Sequence, residues 1–167
     1  YTKSDMSGDI HKFTKLLADA CEKKGVKFYY ETEITKVSHN KQQPVITFNK
    51  ANLLSEQNYD AIVVCAGVNS KFIANELGDK VNIYPVKGYS ITLLLNDKES
   101  VNNAPYVSLL DDKAKIVSSR LGKDRFRVAG TAEFNGYNKD IRADRINPLI
   151  KWCNEIFPRV STEHAIP

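Results

Sequence analysis

The sequence lacks the glycine-rich loops by which many proteins hold nucleotide phosphates. Its eight glycines form neither a Gly-x-Gly-x-x-Gly pattern nor a Walker-type loop, in which backbone amides and a helix N-terminus meet a phosphate. A Gly-x-Ser-x-Gly nucleophile elbow is missing as well. The chain by itself therefore shows neither a complete dinucleotide site nor the signature of a serine hydrolase.

Cysteine is scarce, and no two cysteines are close in sequence. There are three cysteines and three scattered histidines, without a C-x-x-C pair. A structural zinc site needs ligands at paired spacing, so no metal site is predicted. An odd number of isolated cysteines is typical of a reducing compartment, and we expect a cytoplasmic protein.

Long apolar runs and a clean charge of one sign are also missing. No apolar run approaches the roughly 18 residues that cross a bilayer. The net charge is +4, but acids are interleaved with the basic residues at 123–127 and 139–145. Nucleic-acid binding is not predicted, because it favours an uninterrupted basic face with stacking aromatics. The charge is compatible with a weak peripheral contact to anionic lipid head groups. The first residue is Tyr1 rather than Met, and we expect an excised piece of a longer protein.

The first half of the chain shows the alternation of helices and strands of an α/β protein. Apolar residues at helical spacing predict a helix over 9–25, with Asp9 as N-cap and Gly25 as its stop. The stretch "VKFYYE" (26–31) predicts a strand. Two further short strands, "EITKVSHN" and "PVITFNK", flank the polar turn "HNKQQP" and indicate a small meander.

A continuous apolar segment follows, "YDAIVVCAG" at 59–67. Apolar residues on successive positions indicate a strand that is buried on both faces, as in a parallel sheet. A short helix is predicted over 70–78, ending at Gly78. The junction "CAGVNS" has two interpretations: a strand-to-helix turn in which Gly67 supplies a permissive backbone, or a backbone approach to a cofactor phosphate.

The second half reads as an antiparallel sheet closed by a helix. Alternation in "KIVSSR" places Lys115, Val117 and Ser119 on one face of a strand. A helix is predicted over about 147–157, with Pro148 in its first turn. The fold class is thus α+β, with an incomplete α/β half at 1–80 and an antiparallel-sheet half at 81–167. The predicted strands of the second half are 81–95, 104–112, 114–120 and 124–134.

Four stretches in this order carry a resemblance that covers nearly the whole chain. They are "SGDIHKFTKLLADACEKKGVKFYYETEITKV", "YDAIVVCAG", "YPVKGYSITL" and "RFRVAGTAEFNGYN". This run resembles the D-amino-acid dehydrogenases, bacterial flavoenzymes of the wider D-amino-acid oxidase and glycine oxidase superfamily. That family has a Gly-x-Gly-x-x-Gly unit for FAD near its N-terminus and a late Gly-Leu-Arg-Pro segment for the substrate carboxylate. This sequence has neither, so it resembles the middle of such an enzyme.

The resemblance implies roles for individual residues. Val37 is similar to the valine whose backbone meets the adenine of FAD. Ala66 and Gly67 are similar to the pair that passes close to the pyrophosphate and ribityl chain.

On the substrate side, the resemblance implies binding roles for Tyr89, Lys115 and Ser119, in the sheet that lies over the flavin ring. Tyr89 has the alternative of a packed strand aromatic. Lys115 stands near a position where glycine oxidases have a tyrosine, and its alternative is a solvated surface lysine. No catalytic residue is assigned.

The implied activity is oxidative deamination of D-amino acids by hydride transfer to FAD, with a respiratory-chain electron acceptor. The implied location is cytoplasmic or peripheral on the inner membrane. The fragment alone is expected to be inactive and free of FAD. Two alternatives stay open: a non-catalytic binding or assembly module of the same architecture, and a related flavin amine oxidase that uses oxygen.

Overall fold

A computed structural model describes residues 2–4, 6–40 and 43–167. The chain forms two compact units. One contains the residues up to Leu17 together with Val86–Pro167, and the other contains Ala18–Pro85. The sequence predicted halves at 1–80 and 81–167, whereas the units divide at Pro85 and the N-terminal residues join the later unit. The mixed α+β class that the sequence predicted is confirmed.

The first helix, α1, spans Ile10–Glu22. Asp9 Oδ1 accepts hydrogen bonds from the backbone N–H groups of His11 (3.1 Å) and Lys12 (3.2 Å), as an N-cap does. Gly25 follows the helix at a φ of 93°. The predicted helix and both of its end residues are therefore confirmed.

A three-stranded antiparallel meander follows, built from β1 (Thr32–His39), β2 (Pro44–Lys50) and β3 (Leu53–Asn58), in that order across the sheet. The sequence predicted the first two strands but not β3. In the turn "HNKQQP", Lys41 and Gln42 lie outside the described residues. The backbone N–H of Asn40 donates to the carbonyl of Gln43 across 3.0 Å on either side of them.

Two predicted strands are wrong in this structure. Residues 26–31 and 59–66 are irregular, and Val63, in the middle of the second segment, is 83% exposed. A strand exists only where a neighbour satisfies its backbone hydrogen bonds, and within the described ranges no strand runs beside either segment. Both segments are apolar, as the prediction assumed, but among the described residues neither has the neighbouring strand that would make it part of a sheet.

The segment after residue 66 confirms a helix close to where the sequence predicted one. A 3-10 turn at Gly67–Asn69 leads into α2, Ser70–Glu76. Gly78 follows at a φ of 87°, a conformation that favours glycine. Helix α2 packs against β1 within its own unit.

The later unit contains a four-stranded antiparallel sheet. Its strands are β4 (Lys87–Leu94), β5 (Leu109–Asp111), β6 (Ile116–Leu121) and β7 (Arg125–Glu133), in the order β4-β7-β6-β5. All four were predicted, but β4 and β5 are shorter because 81–86 and 104–108 are irregular. The short helix α3 (Lys98–Asn103) was missed, since its polar sequence carries no apolar stripe.

The last helix, α4, spans Ala143–Ile156 and begins four residues before the predicted start. Pro148 therefore lies inside the helix and not in its first turn. The earlier start brings Ile146 into the core, whereas Ile156 at the end of the helix is 51% exposed.

Helix α4 packs on one face of the four-stranded sheet at close range. A Cβ built on Gly130 of β7 would lie 2.7 Å from Ile116 Cγ1 and 3.0 Å from Leu149 Cδ2. Only a residue without a side chain leaves room for this approach. The core between helix and sheet consists mainly of Ile91, Leu93, Phe126, Val128, Leu149, Trp152 and Cys153.

Candidate functional site

The three residues predicted to bind cofactor lie in the unit formed by Ala18–Pro85. Val37 is 5% exposed and pairs with Ile46 of β2. A groove of about 570 Å³ runs beside it, lined by residues 35–39 of β1 together with Glu76 and Leu77. Val37 therefore stands in the wall of a concave surface that is large enough for a flat heterocycle.

The turn that contains Ala66 and Gly67 presents its backbone openly. The N–H of Ala66 donates to Ser70 Oγ across 3.1 Å, and Gly67 has a φ of 55°. Among the described residues, nothing lies within 4 Å of the point where a Cβ of Gly67 would be. Another group can therefore approach this backbone closely, as a cofactor phosphate or ribityl chain requires. FAD fits this turn and the groove in part, but the amides of a glycine-rich loop are not in the sequence.

A buried carboxylate lies at the end of the four-stranded sheet where β4 begins and β7 ends. The side chain of Glu133, at the end of β7, is only 5% exposed. Glu133 Oε1 accepts from Tyr89 Oη and from Lys87 Nζ, each across 2.7 Å. The register shifts between the pairs Gly88–Ala132 and Tyr89–Gly130, so Thr131 is an extra, unpaired residue of β7. Beyond it, Glu133 lies on the same side of the sheet as Tyr89.

Two arginines of the following segment complete the cluster. Arg142 Nη1 lies 3.4 Å and Arg145 Nε 3.6 Å from Glu133 Oε2. Lys87 Nζ also donates to the backbone carbonyl of Asp140 across 2.7 Å. We name Lys87, Tyr89, Glu133, Arg142 and Arg145 the Glu133 cluster. It fastens the loop at 134–142 to the ends of β4 and β7.

The contacts within the cluster lower the pKa of its carboxylate and raise the pKa of its lysine. Hydrogen bonds from Lys87 and then Tyr89 lower the pKa of Glu133 from 4.5 to about 2. The same bond to Glu133 raises the pKa of Lys87. A carboxylate held among donors and cations stays ionised, so Glu133 cannot serve as a general acid near neutral pH.

The predicted substrate residues do not come together in one place. Tyr89 is 6% exposed and lies on the core side of the sheet, with its hydroxyl bound to Glu133. Ser119 lies on the other side, and its Oγ is 2.8 Å from Ser108 Oγ. Lys115 precedes β6 at a φ of 57° and pairs with Asp112 across 2.6 Å. Their contact with a substrate stays a prediction.

The face of the four-stranded sheet opposite α4 is exposed or half-buried. We call it the open face. The register of the paired strands places Thr92 of β4, Arg127 of β7 and Ser119 of β6 side by side on this face. Its side chains include Ser90, Thr92, Val117, Ser119, Arg125 and Arg127.

Sequence reasoning missed Glu133 and Arg127. A signal for Glu133 was present, because the cluster joins "YPVKGYSITL" and "RFRVAGTAEFNGYN", two of the stretches that carry the family resemblance. Arg127 could have been found from the alternation in "RFRVAG", which sets both arginines on the side away from Phe126 and Val128.

The described residues contain no group of three or more metal-ligating side chains that could hold an ion. In the same parts of the chain, none of the helices combines the length and the apolar character that a membrane span requires.

Comparison with known proteins places the chain in a recognised group. The family model described as FAD dependent oxidoreductase matches residues 1–166. A protein named D-amino acid dehydrogenase 3, from Mesorhizobium japonicum, is 51% identical over 169 residues, which is 100% of this chain and 40% of that protein. A D-amino acid dehydrogenase from Dechloromonas aromatica is 40% identical and covers 96% of this chain and 38% of its own length. The chain thus spans about two fifths of these curated relatives.

Among solved structures, glycine oxidase from Geobacillus kaustophilus superposes with a TM-score of 0.73 at 16% identity, covering 90% of this chain and 38% of that one. A flavoprotein/dehydrogenase from Cytophaga hutchinsonii superposes with a TM-score of 0.58 at 19% identity, covering 93% of this chain and 40% of its own. At these identities the likeness concerns the fold.

Proposed function

The chain belongs to the FAD dependent oxidoreductase family, and from this premise we propose that it is the central part of a D-amino-acid dehydrogenase. The whole protein would oxidise a D-amino acid to the imino acid, which water converts to a 2-oxo acid and ammonia. The observation that carries the proposal is the 51% identity along the full chain to a protein named D-amino acid dehydrogenase 3.

FAD would supply the redox chemistry by accepting a hydride from the substrate Cα, so that the protein's part is binding and orientation. Val37 would lie beside the adenine, and the exposed backbone at Ala66 and Gly67 would pass the phosphates or the ribityl chain. The groove beside Val37 and the unobstructed Gly67 support this assignment.

On the substrate side, we propose that the amino acid lies over the open face, with Ser119 as a hydroxyl contact. The Tyr89 hydroxyl is bound to Glu133, so we propose that Tyr89 holds the end of β4 in position instead of donating to the substrate. Lys115 pairs with Asp112 and agrees better with its alternative, a solvated surface lysine.

The apolar segments 26–31 and 59–66 would be covered in the whole protein. We propose that strands outside this chain pair with them and complete a sheet, which would bury Val63. This proposal is supported by their composition and by the length of the relatives, of which this chain is about two fifths.

The experiment compares the whole protein with the isolated chain after purification. The whole protein should show flavin absorbance and should reduce an artificial electron acceptor with D-amino acids but not with their L-enantiomers. The isolated chain should show no flavin bands, because the phosphate loop is missing from it. A whole protein without flavin, or one specific for L-amino acids, would contradict the proposal.

We further propose that the electrons pass to an acceptor of the respiratory chain, with the protein in the cytoplasm or at the inner membrane surface. The names of the relatives support a dehydrogenase. Anaerobic turnover with a quinone analogue, compared with turnover on oxygen alone, separates this acceptor from the oxidase alternative. Fractionation of cells tests the location.

A further inference from the structure

The outer edge of β4 is paired at one point only. Strand β4 stands at the end of the sheet, whose order is β4-β7-β6-β5. The N–H of Thr92 donates to the carbonyl of Ile166 across 2.7 Å, and the N–H of Ile166 donates to the carbonyl of Thr92 across 3.0 Å. The two residues form an isolated antiparallel bridge. One step of a further ladder is therefore already present on this edge.

The rest of the edge is open in the direction in which the chain leaves the bridge. Alternate residues of an antiparallel strand direct their backbone N–H and C=O groups to opposite sides, so Ser90 and Gly88 face the same edge as Thr92. Ser90 is half-buried and Gly88 is exposed. In the described parts of the chain, no backbone group bonds to either of them from this side. Such an edge is a template for another strand.

The bridge fixes the register of any continuation. In an antiparallel pair, each step forward from Ile166 is matched by one step back from Thr92. The first residue after Pro167 therefore comes opposite Ser90, and the third comes opposite Gly88. Pro167 itself comes opposite Ile91 with its nitrogen turned away from β4. Proline has no N–H to donate on that side, and a strand that contains it is suited to the edge of a sheet.

We propose that the segment of the whole protein that follows Pro167 continues this bridge as a fifth strand of the sheet, along β4. The inference rests on the proposed function, in which this chain is part of a longer protein, and the relatives that it covers to 40% and 38% support that length. The segment needs no loop to reach the edge, because Ile166 is already bound there. A second copy of the chain would have to give up its free motion to bind the same edge, whereas the attached segment has a high effective concentration.

The fifth strand would widen the open face. Residues that pair across two strands lie on the same side of a sheet, so Ile166 shares the open face with Thr92, and its side chain is 51% exposed. The first and third residues after Pro167 would then reach the open face beside Ser90 and Gly88. Nothing described lies within 4 Å of a Cβ built on Gly88, which leaves room for the side chain opposite it.

The test uses pairs of cysteines in the whole protein. The test pair combines Ser90→Cys with a cysteine at the first residue after Pro167, because facing Cα atoms at such a position are about 5.5 Å apart and within reach of a disulfide. The matched control combines Ser90→Cys with a cysteine at the second residue after Pro167, whose side chain points to the other face. Thr92→Cys with Ile166→Cys is the positive control. After mild oxidation, the mass of the protein with its free thiols alkylated should show a disulfide in the test pair and the positive control, and loss of it in the matched control.

Hydrogen exchange of the unmodified whole protein gives a second measurement, which stands if a cysteine variant folds poorly. The backbone amide of Ser90 should exchange at least roughly tenfold more slowly than in an unstructured peptide. Rapid exchange there overturns the inference, and so does a test pair that links no better than the matched control. A disulfide between two molecules assigns the edge to a second copy and overturns it as well. Neither measurement needs flavin or turnover, so failure of this inference is distinct from failure of the proposed function.

Discussion

Tyr89 donates its hydroxyl to the carboxylate of Glu133 across 2.7 Å, from one strand to the end of its neighbour. The same carboxylate binds Lys87, and together these contacts turn two strand ends and one loop into a fixed unit. Tyr89 therefore stabilises the contact between β4 and the end of β7.

Replacing Tyr89 by phenylalanine removes one hydrogen bond and leaves the ring in the core. Because this bond goes to an ionised carboxylate, the free energy of unfolding of the whole protein should fall by about 1.5–3 kcal/mol, as measured by urea denaturation. KM should stay unchanged, since the hydroxyl already has a partner. A large KM increase without loss of stability would return Tyr89 to the substrate site.

The stability that Glu133 contributes should depend on pH in the acid range. The folded-state pKa is about 2 and the ordinary value is 4.5, so below pH 4.5 the unfolded chain takes up a proton that the folded protein resists. The contribution is therefore fully present above pH 4.5 and is lost as the pH falls toward 2.

The measurement is the difference in unfolding free energy between wild type and Glu133→Gln, followed from pH 6 to the acid limit of folding. This difference should shrink on acidification. Glu155→Gln is the control, because Glu155 makes only an exposed pair with Lys151 at 3.8 Å. A difference for Glu133 that stays constant with pH would contradict the cluster's electrostatic role.

Gly130 should tolerate no side chain. A Cβ there would lie 2.7 Å from Ile116 Cγ1 of β6 and 3.0 Å from Leu149 Cδ2 of α4, so Gly130→Ala should displace both side chains and cost about 1–3 kcal/mol. Gly88→Ala, in the neighbouring strand, has open space around the added Cβ and serves as control. Thermal unfolding of the two variants should differ clearly, and equal melting temperatures would refute the close approach.

Gly67 is needed for a different reason, its backbone conformation. At a φ of 55° a β-branched residue is strained by about 1–3 kcal/mol, and its side chain would occupy the approach that we assign to the cofactor. Gly67→Val should therefore reduce the ratio of flavin to protein in the purified whole protein. Gly8→Val is the control, because Gly8 has neither a positive φ nor a neighbour within 4 Å. Normal flavin content in Gly67→Val would remove Gly67 from the cofactor site.

The elements that the sequence predicted well are those whose pattern is local. Helix α1 carries its own stripe and cap, and β6 and β7 alternate between buried and exposed residues within a few positions. The segment 59–66 was mispredicted because a strand needs a partner that the pattern cannot supply. Glu133 was missed because its role as the centre of the cluster depends on contacts with Lys87 and Tyr89, which lie more than forty residues away in the sequence.

The composition of the later unit has a consequence for synthesis on the ribosome. This unit joins the residues up to Leu17 with Val86–Pro167, Asp9 pairs with Arg125, and Thr92 exchanges two backbone hydrogen bonds with Ile166. Because translation proceeds from the N-terminus, the nascent segment up to Leu17 must wait, without its partners, while Ala18–Pro85 is made. The unit Ala18–Pro85 can therefore fold first, whereas Thr92 of β4 receives its bridge partner Ile166 only after that residue has left the exit tunnel.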